Sequence, residues 1–254
     1  MGERVKLLSE RLRMLARMVT VGNRVADVGC DHGFLSIYLV KEGISPAVIA
    51  MDVRKGPLSA AREHIDAHGL GTYIETRLSD GLKRLKPGEA DTVVCAGMGG
   101  RLMERILRES HEKAFQLREL ILQPQSELRE FREFLRKSGF RITGEDMVHE
   151  DGKYYFAMRA VPESREDDLE PDLTGILSED GLRDQAVAVR LCDKFGERLL
   201  KEKHPLLEQY LHHQEKLLEQ LTKGLEGKGT ERAGTRLQEL RQELGDVRLA
   251  LQLF

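Results

Sequence analysis

The sequence predicts a doubly wound α/β domain with a mainly parallel sheet, followed by a small all-α domain that forms an antiparallel helical hairpin. Short apolar segments alternate with helical segments between residues 24 and 138, which is typical of parallel strands joined by crossover helices. Two β-rich segments then flank a turn at residues 150–153, as in an antiparallel hairpin. Further along the chain, leucines recur at alternating steps of three and four residues, as in a short coiled coil.

The individual elements are placed by their apolar periodicity and by the glycines and prolines between them. A first helix is expected over residues 7–18, where leucines recur at helical spacing. Strands are expected over residues 24–28, 47–53, 73–77, 92–96, 117–123, 140–148 and 154–160. Helices are expected over residues 34–41, 57–69, 100–108 and 127–138. Ligands of such sheets bind beyond the carboxyl ends of the strands, so we expect the functional residues there.

An acidic, proline-bracketed stretch at residues 162–171 marks the domain boundary. We assign residues 1–162 to the α/β domain and residues 163–254 to the helical domain. Heptad stripes cover residues 207–225 and 237–251, on either side of a glycine-rich break at residues 224–234. Each arm spans only about three heptads, so pairing within the chain is favoured over a long dimeric coiled coil, and we expect a monomer.

The composition excludes several classes of protein. No apolar run approaches the length of about 18 residues that a membrane span needs, and the amino-terminal segment lacks the apolar core of a signal peptide. Cys30, Cys95 and Cys192 are odd in number and widely spaced, which suggests neither a disulfide framework nor a metal site. They fit a reducing compartment, so we expect a cytoplasmic protein without a bound metal.

Positive charge is concentrated near the amino terminus, although the net charge of −3 argues weakly against a nucleic-acid partner. Residues 4–24 contain six basic residues and one acid. Three of the basic residues, Arg11, Arg13 and Arg17, lie on the first predicted helix and could contact the phosphates of a nucleic acid. The alternative explanation is a solvated helix face.

Residues 25–33, Val-Ala-Asp-Val-Gly-Cys-Asp-His-Gly, are the most informative segment, because an apolar strand runs into a glycine-bracketed turn. Asp52 ends the next strand about 20 residues further on, where its carboxylate can hold two ribose hydroxyls. Asp27 and Asp31 would disfavour a pyrophosphate, which prefers bare N–H groups. They suit a cationic ligand, and S-adenosylmethionine fits because it carries a sulfonium, an amino group, a ribose and an adenine. The alternative is a turn whose glycines only make it tight.

Three further strand ends contribute candidate residues. Asp80, followed by Gly81, could accept a hydrogen bond from an adenine amino group or could cap a turn. The segment Ala96-Gly97-Met98-Gly99-Gly100 could place backbone beside a methyl donor or a base, or could serve only tight packing. It lacks the Asn/Asp-Pro-Pro-aromatic turn of many adenine-N6 and cytosine-N4 methyltransferases, which argues against that chemistry. Gln123 could bond the edge of a base or could simply end its strand before Pro124.

Asp31 and His32 are the candidates for catalysis. N1 of neutral adenine has a free lone pair, so its attack on a sulfonium methyl needs no prior deprotonation. The product is a cation, and a carboxylate bonded to the adenine amino group would stabilise the developing charge. Asp31 fits that role, or it binds the amino group of the methionine moiety. His32 is better explained as a residue that packs the turn than as a base.

The motifs resemble, in order and spacing, those of bacterial tRNA (adenine-N1)-methyltransferases of the TrmK type, which modify adenosine 22. The matching segments are LSERLRMLA, VADVGCDHGFL, VRKGPLSAA, SDGL, CAGMGG, LILQPQ and EDGKYY, between about residues 7 and 161. The resemblance implies a Rossmann-like class I methyltransferase that uses S-adenosyl-L-methionine as cofactor and tRNA as partner. The helical hairpin resembles the family's coiled-coil domain in architecture, and we expect it to help grip the tRNA.

The resemblance assigns roles to residues at the strand ends. It implies that Asp31 is catalytic. The expected cofactor-binding residues are Asp27, Gly29, Cys30, His32, Gly33, Asp52, Val53, Asp80, Gly81, Ala96, Gly97 and Met98. The expected substrate-binding residues are Phe34, Gly99, Gly100, Gln123, Arg11, Arg13 and Arg17.

The chain departs from the family pattern at several of these positions. Cys30 stands where members usually carry serine, and Gln125 stands where they usually carry asparagine. Gly33-Phe34-Leu35-Ser36 replaces the usual Ala-Tyr-Leu-Pro, which affects the local backbone rather than the chemistry. If an aromatic residue after the turn stacks on the target base, Phe34 can still serve.

Two other functions are compatible with the same residues. The first is a methyltransferase that acts on a small molecule or a protein. The second is an RNA-binding protein that keeps the fold without turnover. The affinity for tRNA should fall steeply with ionic strength if tRNA is the partner, which separates the first alternative from the leading hypothesis.

Overall fold

The computed structural model describes residues 8–163, 169–177, 182–226 and 231–254. The chain divides into two compact units, Met1–Leu169 and Glu170–Phe254. The basic residues Arg4 and Lys6 of the amino-terminal segment lie outside the described residues.

A seven-stranded sheet forms the centre of the first unit. Its strands are β1 (Val25–Val28), β2 (Val48–Asp52), β3 (Ile74–Leu78), β4 (Thr92–Met98), β5 (Glu119–Pro124), β6 (Phe140–Glu150) and β7 (Lys153–Pro162). Their spatial order is β3-β2-β1-β4-β5-β7-β6, and β7 runs antiparallel to both of its neighbours while β1 to β5 are parallel. The predicted doubly wound sheet with its closing hairpin is confirmed.

Helices cover both faces of this sheet. They are α1 (Glu10–Met18), α2 (Phe34–Lys41), α3 (Lys55–Ala67), α4 (Gly100–Glu109), α5 (His111–Ala114) and α6 (Leu128–Lys137). Apolar residues of α1, α2 and α3 form one core cluster, and those of α4, α5 and α6 form another. Neighbouring residues of each central strand contribute alternately to the two clusters, as the pleat requires.

Two local interactions define how the first helix and the hairpin begin and end. Helix α1 starts three residues later than the sequence predicts, because the Ser9 hydroxyl accepts a hydrogen bond from the Leu12 N–H and caps the helix. The Glu10 N–H donates to the Glu150 carboxylate at 2.8 Å, which ties α1 to the end of β6.

The predicted turn between β6 and β7 is confirmed, with Asp151 and Gly152 both at positive φ.

The second unit is helical throughout its described length. Its helices are α7 (Gln185–Phe195), α8 (Glu197–Lys201), α9 (Pro205–Leu225) and α10 (Glu231–Leu251). Arg248 pairs with Glu215 and Glu219, while Arg241 pairs with Glu226, so α9 and α10 run antiparallel as predicted.

The predicted break at residues 224–234 is wrong in extent. Gly224 is the penultimate residue of α9 and Gly234 is the fourth residue of α10, so both lie in terminal turns, where glycine is tolerated better than in a helix interior. The heptad stripe also changes register near this end, because Thr222 is buried in place of the predicted Leu221, which is exposed.

None of the helices in the described part of the chain combines the length and apolar character that a bilayer crossing requires.

Candidate active site

A cleft of about 530 Å³ opens at the carboxyl ends of β1, β2, β3 and β4. Its size matches that of ordinary small-molecule sites. The predicted site residues in its wall are Arg11, Asp27, Gly29, Cys30, Asp31, His32, Phe34, Asp52, Val53, Asp80, Gly81, Ala96, Gly97 and Met98. The predicted residues Gly33, Gly99, Gly100, Gln123, Arg13 and Arg17 lie outside the wall.

The turn after β1 is held by backbone hydrogen bonds to the neighbouring strand β2. The N–H groups of Gly29 and Cys30 both donate to the carbonyl of Met51, at 2.8 and 2.9 Å. Gly29 has φ +76°, and a Cβ atom at this position would lie 2.3 Å from the terminal methyl of Met98. The left-handed backbone conformation favours glycine here, and any side chain would also force the end of the flexible Met98 side chain to move, so backbone alone forms this part of the wall.

Asp31 projects from the same turn toward solvent. Its side chain is 64% exposed, and its backbone adopts φ +50°, a left-handed conformation that few non-glycine residues take. The imidazole of His32 lies 3.8 Å from the Asp31 carboxylate. Strained backbone of this kind is concentrated at functional sites, and here it presents a carboxylate at the mouth of the cleft.

Asp27 is a buried acid in the wall, at the end of β1. The Ser36 hydroxyl donates a hydrogen bond to its carboxylate at 2.6 Å. Burial raises the pKa of Asp27 to about 6, although the hydrogen bond from Ser36 acts in the opposite direction. The negative charge of Asp52 adds to the upward shift.

Asp52, at the end of β2, is also largely buried. One carboxylate oxygen accepts a hydrogen bond from the Arg54 N–H at 2.8 Å, and the Arg54 guanidinium lies 3.7 Å away. Val53 follows with an exposed aliphatic side chain in the cleft wall. An acid beside an apolar surface is an arrangement that suits a ribose next to a base.

Asp80, beyond β3, is held by two cations. Lys83 donates to one carboxylate oxygen at 2.5 Å and Arg105 donates to the other at 3.4 Å. The hydrogen bond from Lys83 is the main reason that the pKa of Asp80 lies below its usual value. Asp80 therefore remains an acceptor at neutral pH.

Three rings lie together beside the turn. The ring of Phe34 stacks on that of His64 with centroids 5.0 Å apart, and His32 lies within 5.9 Å of both. His64 belongs to α3, and its Nδ1 is 3.0 Å from the carbonyl oxygen of His32. His64 was not among the predicted residues, because no local motif marks the face of α3 that meets the turn.

Gln123 lies behind the wall rather than on it. Its fully buried side-chain oxygen accepts hydrogen bonds from Arg11 at 3.0 Å and from the Gly97 N–H at 3.3 Å. The Arg11 guanidinium also lies over the ring of Tyr155, with 5.6 Å between the guanidinium carbon and the ring centroid. Gln123 thus positions Arg11 and the end of β4, and its contact with a substrate stays a prediction.

The remaining predicted residues serve packing or lie on the surface. A Cβ on Gly100 would lie 2.6 Å from the carbonyl oxygen of Ser126, so Gly99 and Gly100 let α4 begin against that turn. Gly33 begins α2 in a left-handed conformation and packs on Ala61. Their part in ligand binding stays a prediction.

The two other predicted arginines of α1 also lie away from the cleft. Arg13 pairs with Glu10 at 2.9 Å, and Arg17 is exposed. Their contact with phosphates stays a prediction.

Several residues of the wall were not predicted as site residues. They are Leu12, Val28, Leu35, Arg54, Ser79, Leu102, Arg105, Ile106 and Gln125. Leu102, Arg105 and Ile106 come from one face of α4, which only the packing of that helix directs into the cleft.

The site therefore combines three carboxylates at successive strand ends with a fourth, Asp31, at the mouth. Within the described residues, no three His, Cys, Asp or Glu side chains are placed to hold a metal ion. The arrangement suits a nucleoside that carries positive charge and hydroxyl groups.

Comparison with known proteins agrees with this geometry. Residues 8–158 match the protein family described as "Methyltransferase domain". The chain is 36% identical over 159 residues to the tRNA (adenine(22)-N(1))-methyltransferase of Bacillus subtilis strain 168, an alignment that covers 63% of this chain and 67% of the relative.

Two solved structures extend the similarity to almost the whole chain. The structure of the B. subtilis m1A22 tRNA methyltransferase TrmK matches with a TM-score of 0.77 and 30% identity, over 98% of this chain and 100% of that one. Streptococcus pneumoniae Sp1610, proposed to be a tRNA (m1A22) methyltransferase and solved with S-adenosyl-L-methionine, matches with a TM-score of 0.77 and 30% identity. That match covers 96% of this chain and 100% of the other. The chain belongs to the TrmK-type tRNA (adenine(22)-N1)-methyltransferase family.

Proposed function

We propose that this protein transfers a methyl group from S-adenosyl-L-methionine to N1 of adenosine 22 in tRNA. Family membership supports the reaction and its substrate. The observation that carries the proposal is the single cleft in which Asp27, Asp52 and Asp80 line the wall while Asp31 stands exposed at the mouth.

The residues of the wall fit the cofactor group by group. The Asp52 carboxylate would accept hydrogen bonds from the ribose hydroxyls, and Val53 offers apolar surface beside them. Asp80, kept ionised by Lys83 and Arg105, would accept a hydrogen bond from the adenine amino group. Asp27 supplies negative charge for the amino group of the methionine moiety. When bound, the cofactor supplies an electrophilic methyl group on a sulfonium.

The methyl transfer requires no general base from the protein. N1 of neutral adenine supplies the electron pair for the new N–C bond, while the S–C bond breaks and its electron pair returns to sulfur. Positive charge moves from sulfur to the adenine ring, and no proton has to leave in this step. Asp31 needs only to present a carboxylate to the ring or its amino group as that charge develops.

Residues at the mouth of the cleft would contact the target base of the tRNA. A target base that is stacked in the tRNA must leave its neighbours to reach the methyl group, and aromatic side chains such as Phe34 replace the lost stacking. Arg11 would contact a phosphate near the target base and not the base itself. A guanidinium next to the methylated base would repel its positive charge and oppose the reaction. The protein acts in this scheme as a cytoplasmic monomer, its helical hairpin contacting the tRNA body.

The test is nucleoside analysis of the product. Purified protein, S-adenosyl-L-methionine and an unmodified cognate tRNA are incubated, and the digested tRNA is examined by mass spectrometry. We expect 1-methyladenosine with wild-type tRNA and none with a tRNA that carries guanosine at position 22. Methylation of a protein or small molecule instead would support another acceptor. Binding of cofactor and tRNA without turnover would support a non-catalytic RNA-binding protein.

A further inference from the structure

We propose that Ser36 is a positioning residue for Asp27: its hydroxyl orients the Asp27 carboxylate in the cleft wall and keeps it ionised for cofactor binding. The link to cofactor binding rests on the proposed function. The effect on the charge of Asp27 does not depend on it.

The geometry gives this hydrogen bond an unusually protected setting. Ser36 is 0% exposed and Asp27 is 4% exposed, and the Ser36 Oγ lies 2.6 Å from Oδ2 of Asp27. A distance this short is typical of a hydroxyl that donates to a charged carboxylate. Ser36 lies in the first turn of α2, which starts at Gly33 without a side-chain cap, so the helix places both Ser36 donors toward the end of β1.

Apart from Ser36, the environment of Asp27 disfavours its negative charge, because the side chain is buried and lies near the negative charge of Asp52. Asp52 faces it from β2, and the thiols of Cys30 and Cys95 face it from the turn and from β4. Burial raises the pKa of both thiols and the charge of Asp27 adds to the shift, so they remain neutral. Within the described residues, no Lys, Arg or His forms an ion pair with Asp27, and Ser36 supplies the hydrogen bonds that lower its pKa. Without the Ser36 hydroxyl, Asp27 would take up a proton closer to neutral pH.

The test uses Ser36→Ala, Ser36→Thr and a matched control, Ser45→Ala. Ser45 is 2% exposed and donates to the carbonyl of Ala47, so its loss removes an equally buried hydroxyl away from the cleft. Calorimetry measures the affinity for S-adenosyl-L-methionine between about pH 5.5 and pH 7.5, below the ordinary pKa of an amino group. In Ser36→Ala we expect the midpoint of the pH dependence to rise by about one unit, so that affinity at pH 6 falls about fivefold and recovers at higher pH. Ser36→Thr and Ser45→Ala should keep the wild-type profile.

A second measurement is independent of the cofactor. Carbon-13 NMR of the Asp27 carboxyl in the free protein reports its titration directly, and we expect the midpoint to be higher in Ser36→Ala than in wild type. If Ser36→Ala proves unstable, Ser36→Cys keeps the volume with a weaker donor and should shift the midpoint in the same direction.

Three outcomes separate the possibilities. An unchanged NMR midpoint would overturn the proposal. A loss of affinity that is equal at every pH would also overturn it, because it would indicate packing alone. A higher NMR midpoint in Ser36→Ala, together with a wild-type protein that does not bind S-adenosyl-L-methionine, would support the effect of Ser36 on Asp27 and contradict the proposed function.

Discussion

The terminal methyl of Met98 occupies the space that a Cβ atom on Gly29 would need, at 2.3 Å. Gly29 follows β1 and Met98 ends β4, so this contact brings the two central strand ends together at the wall of the cleft. The carbonyl of Met51 accepts hydrogen bonds from the N–H groups of Gly29 and Cys30, which ties β2 to the same turn. This part of the wall therefore consists of closely packed backbone and the end of the Met98 side chain. No side chain from Gly29 takes up volume in the cleft.

Gly29→Ala tests this packing. The new methyl would force the end of the Met98 side chain out of its place in the cleft wall and would also sit at φ +76°, so we expect the wall to change shape and the affinity for S-adenosyl-L-methionine to fall by about tenfold, or 1.4 kcal/mol. Gly22→Ala is the matched control, since Gly22 has φ +91° with open space around it and lies at the opposite end of β1. Calorimetry that finds equal cofactor affinity in the two variants would contradict a steric role for Gly29.

The buried carboxyl of Asp27 predicts a pH dependence. Its pKa in the folded protein, about 6, lies above the unfolded value, so the folded state holds this proton more tightly. The stability that Asp27 contributes is therefore present below the unfolded pKa and is lost as the pH rises through about 6. Binding of a cationic ligand offsets that loss of stability, because the positive charge of the ligand favours the ionised form of Asp27.

We accordingly expect cofactor affinity to rise with pH through about 6 and then to level off. The increase in melting temperature on addition of S-adenosyl-L-methionine should follow the same curve. Asp27→Asn should bind weakly with a flat profile over this range. A wild-type affinity that falls as the pH rises from 5 to 7 would show that Asp27 does not meet the cofactor as an anion.

Asp31→Asn tests the catalytic assignment. Removing the carboxylate leaves the ring cation without its counter-charge, so we expect the methyl-transfer rate to fall about 10²- to 10³-fold while cofactor affinity stays within about twofold. Asp151→Asn is the control, since Asp151 has the same φ of +50° but lies in the β6–β7 turn. Single-turnover kinetics and calorimetry separate the two effects. Lost cofactor binding in Asp31→Asn would assign Asp31 to the cofactor instead of the base.

Arg11→Gln tests contact with the tRNA. Arg11 lines the cleft, and the loss of one phosphate contact should weaken tRNA binding about five- to tenfold and reduce its salt dependence. Arg13→Gln provides the comparison from the same helix, because Arg13 pairs with Glu10 away from the cleft. Filter binding at several salt concentrations should place Arg11→Gln below wild type and Arg13→Gln near it. The reverse order would move the tRNA contact away from the cleft.

The sequence was sufficient to predict the sheet and most of the cleft wall. Apolar runs bounded by glycines located every strand, and Asp27, Asp52 and Asp80 follow from their places at strand ends. Such residues can be predicted because the backbone of a parallel sheet brings its carboxyl ends together whatever the side chains are.

Other features depend on tertiary packing and could not be predicted. Arg105 reaches the cleft wall, and His64 reaches the ring of Phe34, from helix faces whose orientation no local motif indicates. Gln123 sits at a strand end as expected, yet the approach of Arg11 from α1 takes up its side-chain oxygen. Gly224 and Gly234 resemble helix breakers, but both lie in the terminal turns of α9 and α10, so the helices extend further toward their connection than the glycines indicate.

The most direct test of the central claim is a reverse-transcription assay at position 22 of the tRNA. A methyl group on N1 blocks the pairing edge of adenine, so primer extension should stop next to position 22 after incubation with wild-type protein and S-adenosyl-L-methionine. We predict this stop with wild type and a large loss of it with Asp31→Asn. Read-through by a wild-type protein that binds both cofactor and tRNA would contradict the proposed function.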